Sequence, residues 1–253
     1  MELDRDLVHV IACNLDQPQT VLDALRATLS PAEAAVRARL RRARDRERAV
    51  ASRGVLRVLL GACTGVEPAH VRIVEGPNGK PELAPPEPHD LRFNVSHAGR
   101  FALYAIASGR QVGIDVEPAG RTVAEPAAFA RELGLPCTAR GRELLTRWTR
   151  HEALAKATGE GLDAPTPDGT VQWRAVTLDW GGHHVAGLVV EGSGWRLRAG
   201  QAHSMTAVPV VVASIVELPI ESSTMLVRVP AAAVSSRTLP RQESTAPLRS
   251  MPR

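Results

Sequence analysis

The sequence predicts an α+β protein built from two similar units, each with a long helix followed by strands. The first observation is that each half of the chain contains one long helical pattern, followed by short segments that alternate like half-buried strands. The second is a change of composition after about residue 217, beyond which the chain has no aromatic residue and is rich in Ser, Thr, Pro and Arg. We therefore expect an N-terminal unit over 1–109, a C-terminal unit over 110–217 and a disordered tail over 218–253.

The first clear element of the N-terminal unit is a helix that starts at Ser30-Pro31-Ala32-Glu33. Ser30 and Glu33 can form a capping box, and Pro31 suits the first helical position. Apolar residues then recur at helical spacing as far as Val50, so an Arg-rich amphipathic helix is expected. Strands are expected after it at Val71 to Val74, which enters an Asn-Gly turn, and then at Phe93 to Val95 and Phe101 to Ala107.

The elements expected in the C-terminal unit are a strand, a second helix and further strands. A strand is expected at Val112 to Val116, and a helix from about Glu143 to Thr158 that ends at Gly159. Alternation then predicts further strands at Trp173 to Trp180, His183 to Val190, Trp195 to Arg198 and Ala207 to Val216.

Composition narrows the partners and the compartment. The net charge of +4 suggests an acidic partner or a phosphate-rich ligand, and nine arginines lie between Arg37 and Arg57. The simplest interpretation of those arginines is a solvated helix face. Three widely spaced cysteines argue against a disulfide framework, the N-terminus lacks a signal-peptide pattern, and the most apolar run is too interrupted to span a bilayer. We expect a cytoplasmic protein.

Gly113-Ile114-Asp115-Val116-Glu117 is the most informative motif. In a strand, Asp115 and Glu117 project to the same side, while Ile114 and Val116 face the core. Two adjacent carboxylates repel each other, and a hard cation such as Mg²⁺ would offset that repulsion. The alternative is an exposed acidic pair without a ligand, which is common on strands.

A second motif lies on the C-terminal helix. Trp148, Glu152 and Lys156 are four residues apart and form one stripe. Glu152 and Lys156 can form an ordinary surface ion pair. If the stripe instead faces the strand that carries Asp115, a third carboxylate and a lysine join the acidic pair, as a magnesium–diphosphate site requires.

Two further candidates precede the acidic pair. Ser96 and His97 end a predicted strand, where they can bind phosphate oxygens, although a structural role is usual for a single histidine. Lys80 follows a tight turn, where a lysine is usually solvated but can also hold a phosphate.

In this order, the motifs resemble those of the 4'-phosphopantetheinyl transferases of the surfactin-synthetase-activating type. The resemblance is clear over about residues 30 to 165 and weak to about 215. The matching elements are Ser30-Pro31, Arg48 to Arg57, Gly79-Lys80-Pro81, Phe93-Asn94-Val95-Ser96-His97, Gly113 to Glu117 and Trp148 to Lys156, with Gly159 and Gly161-Leu162.

The resemblance implies a fold and a set of site residues. The fold is a pseudo-twofold pair of α+β units with the site in the cleft between them. The implied Mg²⁺ ligands are Asp115, Glu117 and Glu152. The residues implied near coenzyme A are Lys156 at the diphosphate, Lys80, Ser96 and His97 at its phosphates, and Arg48 near the nucleotide.

The implied reaction transfers the 4'-phosphopantetheine group from coenzyme A to a serine of an apo acyl or peptidyl carrier protein, releasing 3',5'-adenosine bisphosphate. Glu152 is the candidate base, and Lys156 is the candidate group that stabilises the leaving phosphate. We expect a monomer that binds coenzyme A and an acidic carrier protein, and neither nucleic acid nor membrane.

The sequence departs from the family pattern at His151, where relatives usually carry Lys before the helix glutamate. Glu33 and Val36 stand where some relatives place basic residues, so Arg37 or Arg41 is expected to substitute. Two alternatives stay open: a non-catalytic relative that binds a carrier protein or nucleic acid, and a metal-dependent nuclease. The nuclease is disfavoured because such enzymes carry the last acid and lysine two apart on a strand.

Overall fold

The computed structural model describes residues 4–76, 79–85, 90–159, 171–203, 211–219 and 225–229. The elements of the first half are β1 (Leu7–Asn14), α1 (Gln19–Ala27), α2 (Pro31–Ala38), α3 (Ala43–Thr64), a 3₁₀ turn (Pro68–His70), β2 (Ile73–Glu75), β3 (Pro81–Leu83), β4 (Leu91–Ala98) and β5 (Phe101–Ser108). Those of the second half are β6 (Val112–Pro118), α4 (Pro126–Glu132), α5 (Gly141–Thr158), β7 (Trp173–Trp180), β8 (His184–Glu191), β9 (Arg196–His203), β10 (Val211–Pro219) and β11 (Leu226–Val229).

The same chain order is used twice, which confirms the predicted α+β architecture. In the first half, β1 is followed by α3 and the β4–β5 hairpin, and the strands lie in the order β1-β5-β4. In the second half, β6 is followed by α5 and the β7–β8 hairpin, and the order is β6-β8-β7. In each half, the strand that precedes the long helix, β1 or β6, pairs antiparallel with the second strand of the hairpin, β5 or β8.

Strand pairing crosses the predicted boundary between the units. Strand β9 runs parallel to β1, and β10 pairs with β9, so residues 196–203 and 211–219 extend the sheet of the first half. Seven of the eight residues of β1 are buried, which is the pattern of a central strand with a neighbour on each side. The division at residue 109 stays a prediction.

The end of the chain also differs in part from its prediction. Leu226–Val229 forms β11, which pairs with β7, whereas 218–253 was expected to be a disordered tail. Val227 and Val229 are buried and Leu226 is exposed, so this segment has the alternation of a strand. Tail residues other than 218, 219 and 225–229 lie outside the described residues.

The core has two main layers. One cluster lies between the sheets and includes Val10, Ile114 and Trp195; the other lies between the larger sheet and helices α1 and α3 and includes Leu59 and Tyr104. Over the described ranges, none of the helices combines the length and the apolar composition that crossing a bilayer requires.

Helix α5 lies in direct contact with the backbone of the smaller sheet. A side chain at Gly113 on β6 would overlap the carbonyl oxygen of Ala153, and one at Gly187 on β8 would overlap that of Thr149. These two positions therefore need glycine because the helix and the sheet approach so closely. Because of this contact, side chains of α5 such as Lys156 lie next to residues of β6 such as Asp115.

The Arg-rich region forms two helices rather than the one expected. The helical conformation is interrupted between α2 and α3, where Arg46 Nη1 donates to the carbonyl oxygens of Leu40 and Arg41 at 2.8 and 3.0 Å. Those hydrogen bonds satisfy backbone acceptors of the short segment that connects the two helices.

The start of α2 follows the prediction. Ser30 accepts from the amide of Glu33, and the Glu33 carboxylate accepts from the amide of Ser30 at 2.8 Å. Glu33 also binds Arg53 at 2.5 Å and Arg57 at 2.8 Å. Burial alone would raise the pKa of Glu33, but the donors on Arg57, Ser30 and Arg53 lower it to about 2. Arg53 and Arg57 are therefore structural and do not belong to a solvated face.

Candidate active site

Strands β4 and β6 join the two halves of the molecule. The side-chain oxygen of Asn94 on β4 accepts a hydrogen bond from the amide of Ile114 on β6 at 2.9 Å. Two residues farther along the same face of β4, Ser96 Oγ donates to Asp115 Oδ1 at 2.9 Å. The Phe93-to-His97 and Gly113-to-Glu117 motifs are therefore in contact through paired polar side chains.

Helix α5 adds a lysine to this contact. Lys156 Nζ lies 2.6 Å from Asp115 Oδ1 and 3.3 Å from Ser96 Oγ. Asp115 is 6% exposed and Ser96 is equally buried, so the hydrogen bond between them is shielded from water, whereas the Lys156 side chain is partly exposed. Three sequence-predicted residues from three elements thus form one cluster.

Glu117 and Glu152 complete the acidic group. Burial raises the pKa of Glu117, the ion pair with Arg121 lowers it again, and the charge of Asp115 adds to the increase. Burial likewise raises the pKa of Glu152; repulsion by Asp115 and Glu117 adds to this effect, and Lys156 opposes it. Glu117 and Glu152 therefore lie in surroundings that disfavour their ionised forms, and the charge of the neighbouring Asp115 contributes to this effect at both.

The donor set suits a hard divalent cation. Carboxylate oxygens are the ligands that Mg²⁺ prefers, and the mutual repulsion seen here is what a cation would relieve. As the side chains stand, no three His, Cys, Asp or Glu groups in the described part of the chain are arranged to hold a metal. Positive charge is instead supplied by Lys156 to Asp115 and by Arg121 to Glu117.

His97 lies apart from the acidic cluster. It is exposed at the end of β4, and successive residues of a strand point to opposite faces, so it does not share the surroundings of Ser96. It lines a cavity of about 230 Å³. The other lining residues are Arg37, Ser52, Arg53, Leu56, Pro81, Phe93, Asn94 and Val95.

Lys80 lies between the end of α5 and the residue that precedes β6, and it does not contact the acidic cluster directly. Its ammonium donates to Gln111 Oε1 at 2.9 Å and to the carbonyl oxygen of Ala157, near the end of α5, at 2.7 Å. Burial lowers its pKa to about 8. Neither hydrogen bond is to the carboxylates of the cluster.

Arg48 is held by a carboxylate that the sequence did not single out. Its Nε and Nη2 donate to the two oxygens of Asp16 at 2.6 and 3.0 Å. Its Nη1 lies close to Gly99, in the turn that follows His97. Asp16 also binds Arg44.

The stripe predicted on α5 is divided between two neighbours. Glu152 and Lys156 face the acidic strand, whereas the ring of Trp148 packs on Phe129 of α4 with centroids 5.0 Å apart. The departure from the family pattern at His151 is exposed and lies 6.4 Å from Trp148, ring centre to ring centre.

Sequence reasoning missed three residues in contact with the predicted site: Asp16, Gln111 and Arg121. Gln111 and Asp16 contact residues distant in the chain and belong to no motif. Arg121 is four residues after Glu117, a spacing that signals a contact in helices, but this segment is not helical.

The chain is similar in sequence to several known proteins. A family model described as "4'-phosphopantetheinyl transferase, N-terminal" matches residues 17–109. The 4'-phosphopantetheinyl transferase HetI of Nostoc sp. is 35% identical over 218 residues, which cover 76% of this chain and 90% of that protein.

Two other relatives match shorter parts. A putative 4'-phosphopantetheinyl transferase of Synechocystis sp. is 29% identical over 59% of this chain and 64% of its own length. The human L-aminoadipate-semialdehyde dehydrogenase-phosphopantetheinyl transferase is 37% identical over 78 residues, 29% of this chain and 25% of that protein. From the match to HetI along most of both chains, together with the repeated α+β fold, we conclude that the chain belongs to the 4'-phosphopantetheinyl transferase family.

Proposed function

We propose that this chain is a Mg²⁺-dependent transferase of the surfactin-synthetase-activating type. It moves 4'-phosphopantetheine from coenzyme A to a serine of an apo acyl or peptidyl carrier protein and releases 3',5'-adenosine bisphosphate. The observation that carries the proposal is the cluster of Ser96, Asp115 and Lys156 where β4, β6 and α5 meet, with Glu117 and Glu152 in the same environment.

The residues of the cluster divide the work of phosphoryl transfer. Asp115, Glu117 and Glu152 would hold Mg²⁺, which when bound neutralises charge on the diphosphate. Glu152 accepts the proton of the carrier serine as that oxygen bonds to the phosphorus next to pantetheine. The bond from this phosphorus to the oxygen of the leaving nucleotide breaks, and Lys156 places positive charge on that nucleotide's phosphate.

The cavity beside His97 is the proposed binding site for the nucleotide end of coenzyme A. Arg37 and His97 line it, and guanidinium and imidazole N–H groups can donate to phosphate oxygens. Ser96 connects this strand to the cluster, and Arg48 lies at the turn that follows it. Because both units belong to one chain, a monomer is sufficient for the reaction.

The proposal is tested by following both products in one incubation. Apo carrier protein, coenzyme A, Mg²⁺ and this chain should give modified carrier and an equal amount of 3',5'-adenosine bisphosphate, separated by chromatography. Nucleotide release without carrier modification would indicate a hydrolase instead, and neither product across acyl and peptidyl carriers would contradict the proposal.

Rates with the carrier protein are expected to fall about tenfold between low salt and 0.5 M salt. Exposed arginines lie just after α2, close in sequence to the exposed side chains of Val36 and Leu40. The positive charge of this basic α2 surface, Arg39, Arg41 and Arg42, favours encounter with an acidic carrier, and salt screens the attraction. Steady-state rates at several ionic strengths measure the effect.

The matched control replaces Arg39, Arg41 and Arg42 by glutamine. This variant should be slower at low salt and should lose most of the salt dependence, because the screened charges are gone. Equal salt dependence in both proteins would show that this surface does not attract the carrier.

Replacing Glu152 by glutamine is expected to stabilise the metal-free protein at pH 8 while abolishing transfer. Burial and the repulsion by Asp115 raise the pKa of Glu152 in the folded state. A carboxyl with a raised folded pKa favours the fold only while protonated, so its stabilising effect is lost as the pH rises through that pKa. Thermal unfolding in EDTA from pH 5 to pH 8 measures the difference.

The stability gain of Glu152→Gln should therefore grow with pH and disappear towards pH 4.5, the usual pKa of a glutamate. The control is Glu143→Gln, a change at an exposed carboxylate in the first turn of the same helix, where no gain is expected. If Glu152→Gln is no more stable than wild type at pH 8, the charge of Glu152 does not destabilise the metal-free protein.

A further inference from the structure

We propose that Lys80 is a positioning residue: its ammonium fixes the end of α5 against the start of β6, and thereby holds Lys156 beside Asp115. The proposal rests on the proposed function, because the geometry that it preserves is that of the transfer site. It differs from the sequence-based expectation that Lys80 holds a phosphate of coenzyme A.

The first step is the hydrogen bond to the helix end. Helix α5 ends at Thr158, and the amide of Gly159 returns to the carbonyl oxygen of Ala155 at 2.9 Å. The carbonyl oxygen of Ala157 lies in the same last turn, where the helix offers no amide donor. Lys80 Nζ donates to it at 2.7 Å, and a cation at a helix C-terminus is also favoured by the helix dipole.

The second step is the hydrogen bond to β6. Lys80 Nζ also donates to Gln111 Oε1 at 2.9 Å. Gln111 directly precedes β6, and its backbone is fixed to Glu191, at the end of β8, by hydrogen bonds of 3.0 Å in both directions. One ammonium on the β2–β3 hairpin therefore connects the first half of the molecule to both elements that carry the acidic cluster.

The two hydrogen-bond partners of Lys80 are close in sequence to the residues of the acidic cluster. Ala157 follows Lys156 directly, and Gln111, immediately before β6, is four residues before Asp115. Displacement of the α5 end changes the 2.6 Å contact between Lys156 Nζ and Asp115 Oδ1, and small misplacements of reacting groups have large costs in rate.

The charges around Lys80 are consistent with a structural contact. Burial lowers its pKa, Glu82 and Glu191 oppose this effect, and Arg92 adds to it. Carboxylates of both halves thus favour the charged ammonium, and its two hydrogen bonds are to the uncharged oxygens of Gln111 and Ala157.

The experiment compares Lys80→Met with Arg72→Met in the full chain. Arg72 is an exposed cation beside the same hairpin, and its guanidinium donates to the carbonyl oxygen of Pro85. For Lys80→Met we expect kcat to fall about tenfold or more with the KM for coenzyme A within about threefold of wild type. Arg72→Met should leave both unchanged.

A second readout does not depend on activity. Amide hydrogen exchange at residues 155–159 and 112–114 should be faster in Lys80→Met than in wild type, because the end of α5 has lost its anchor. Gln111→Met should increase exchange at the same residues by a smaller amount. The double variant of Lys80→Met with Gln111→Met should exchange little faster than Lys80→Met alone, because both substitutions remove the same Lys80–Gln111 hydrogen bond.

A raised KM for coenzyme A with unchanged kcat and unchanged exchange would overturn the proposal and make Lys80 a phosphate ligand. Loss of activity in Lys80→Met without any change in exchange would also overturn it. Wild-type protein assayed beside the variants separates this question from the proposed function, because an inactive wild type contradicts the function and leaves the exchange measurement to decide on Lys80.

Discussion

Replacing Asp115 by asparagine is expected to lower the rate of transfer by about a hundredfold or more, with the fold retained. Asparagine keeps an oxygen that can accept from Ser96 Oγ but removes the charge that pairs with Lys156 at 2.6 Å. The proposed cation would lose one of three anionic ligands, and Lys156 would lose its partner. Initial rates with saturating coenzyme A and carrier measure the loss, and circular dichroism verifies the fold.

The matched control for this prediction is Asp179→Asn. Asp179 is on β7 of the same sheet and forms a partly exposed ion pair with Arg142 at 3.2 Å, away from the cluster. We expect wild-type rates from this variant within about twofold, since one such ion pair contributes at most about 1 kcal/mol to stability. Near wild-type turnover in Asp115→Asn would refute the role assigned to Asp115.

Replacing Gly113 by alanine is expected to lower the free energy of unfolding by about 3 kcal/mol, at the upper end of the usual cost of overpacking. The new methyl group would overlap the carbonyl oxygen of Ala153 and the amide nitrogen of Ala157. Both are backbone atoms of α5, so no side-chain rotation can relieve the overlap. Urea unfolding monitored by tryptophan fluorescence gives the free energy.

Gly120→Ala is the control for the glycine prediction. Gly120 is exposed, and nothing lies within 4 Å of the position that its Cβ would occupy. Alanine there should change the free energy of unfolding by less than about 0.5 kcal/mol. If Gly113→Ala were equally mild, helix α5 would not lie on the sheet as closely as described.

Local chemistry explains which elements the sequence predicted well. The capping box of Ser30 and Glu33, the helix end at Gly159 and the alternation around Asp115 each depend on residues a few positions apart. Strand β1 was missed because its eight residues form a nearly continuous apolar run without alternation, which does not by itself distinguish a buried strand from a helix.

Pairings between distant segments account for most of the rest. Nothing near residues 196–203 shows that this strand lies beside β1. Composition averaged over the tail hid the four-residue pattern of β11, which pairs with β7.

The site shows the same division between local and distant information. Spacing on a strand and on a helix placed Asp115 with Glu117 and Glu152 with Lys156, and the resemblance to a family indicated that the two sets meet. The contacts of Lys80 with Gln111 and Ala157 join residues 31 and 77 positions apart. No motif predicts them, because they depend on how the hairpin, α5 and β6 pack.

The proposed transfer is tested most directly by the intact mass of an apo carrier protein after incubation with this chain, coenzyme A and Mg²⁺. We expect the carrier to gain one phosphopantetheine group, EDTA to prevent the gain, and Asp115→Asn to reduce its rate at least a hundredfold. An unmodified carrier, across acyl and peptidyl types and with folded wild-type protein, would contradict it.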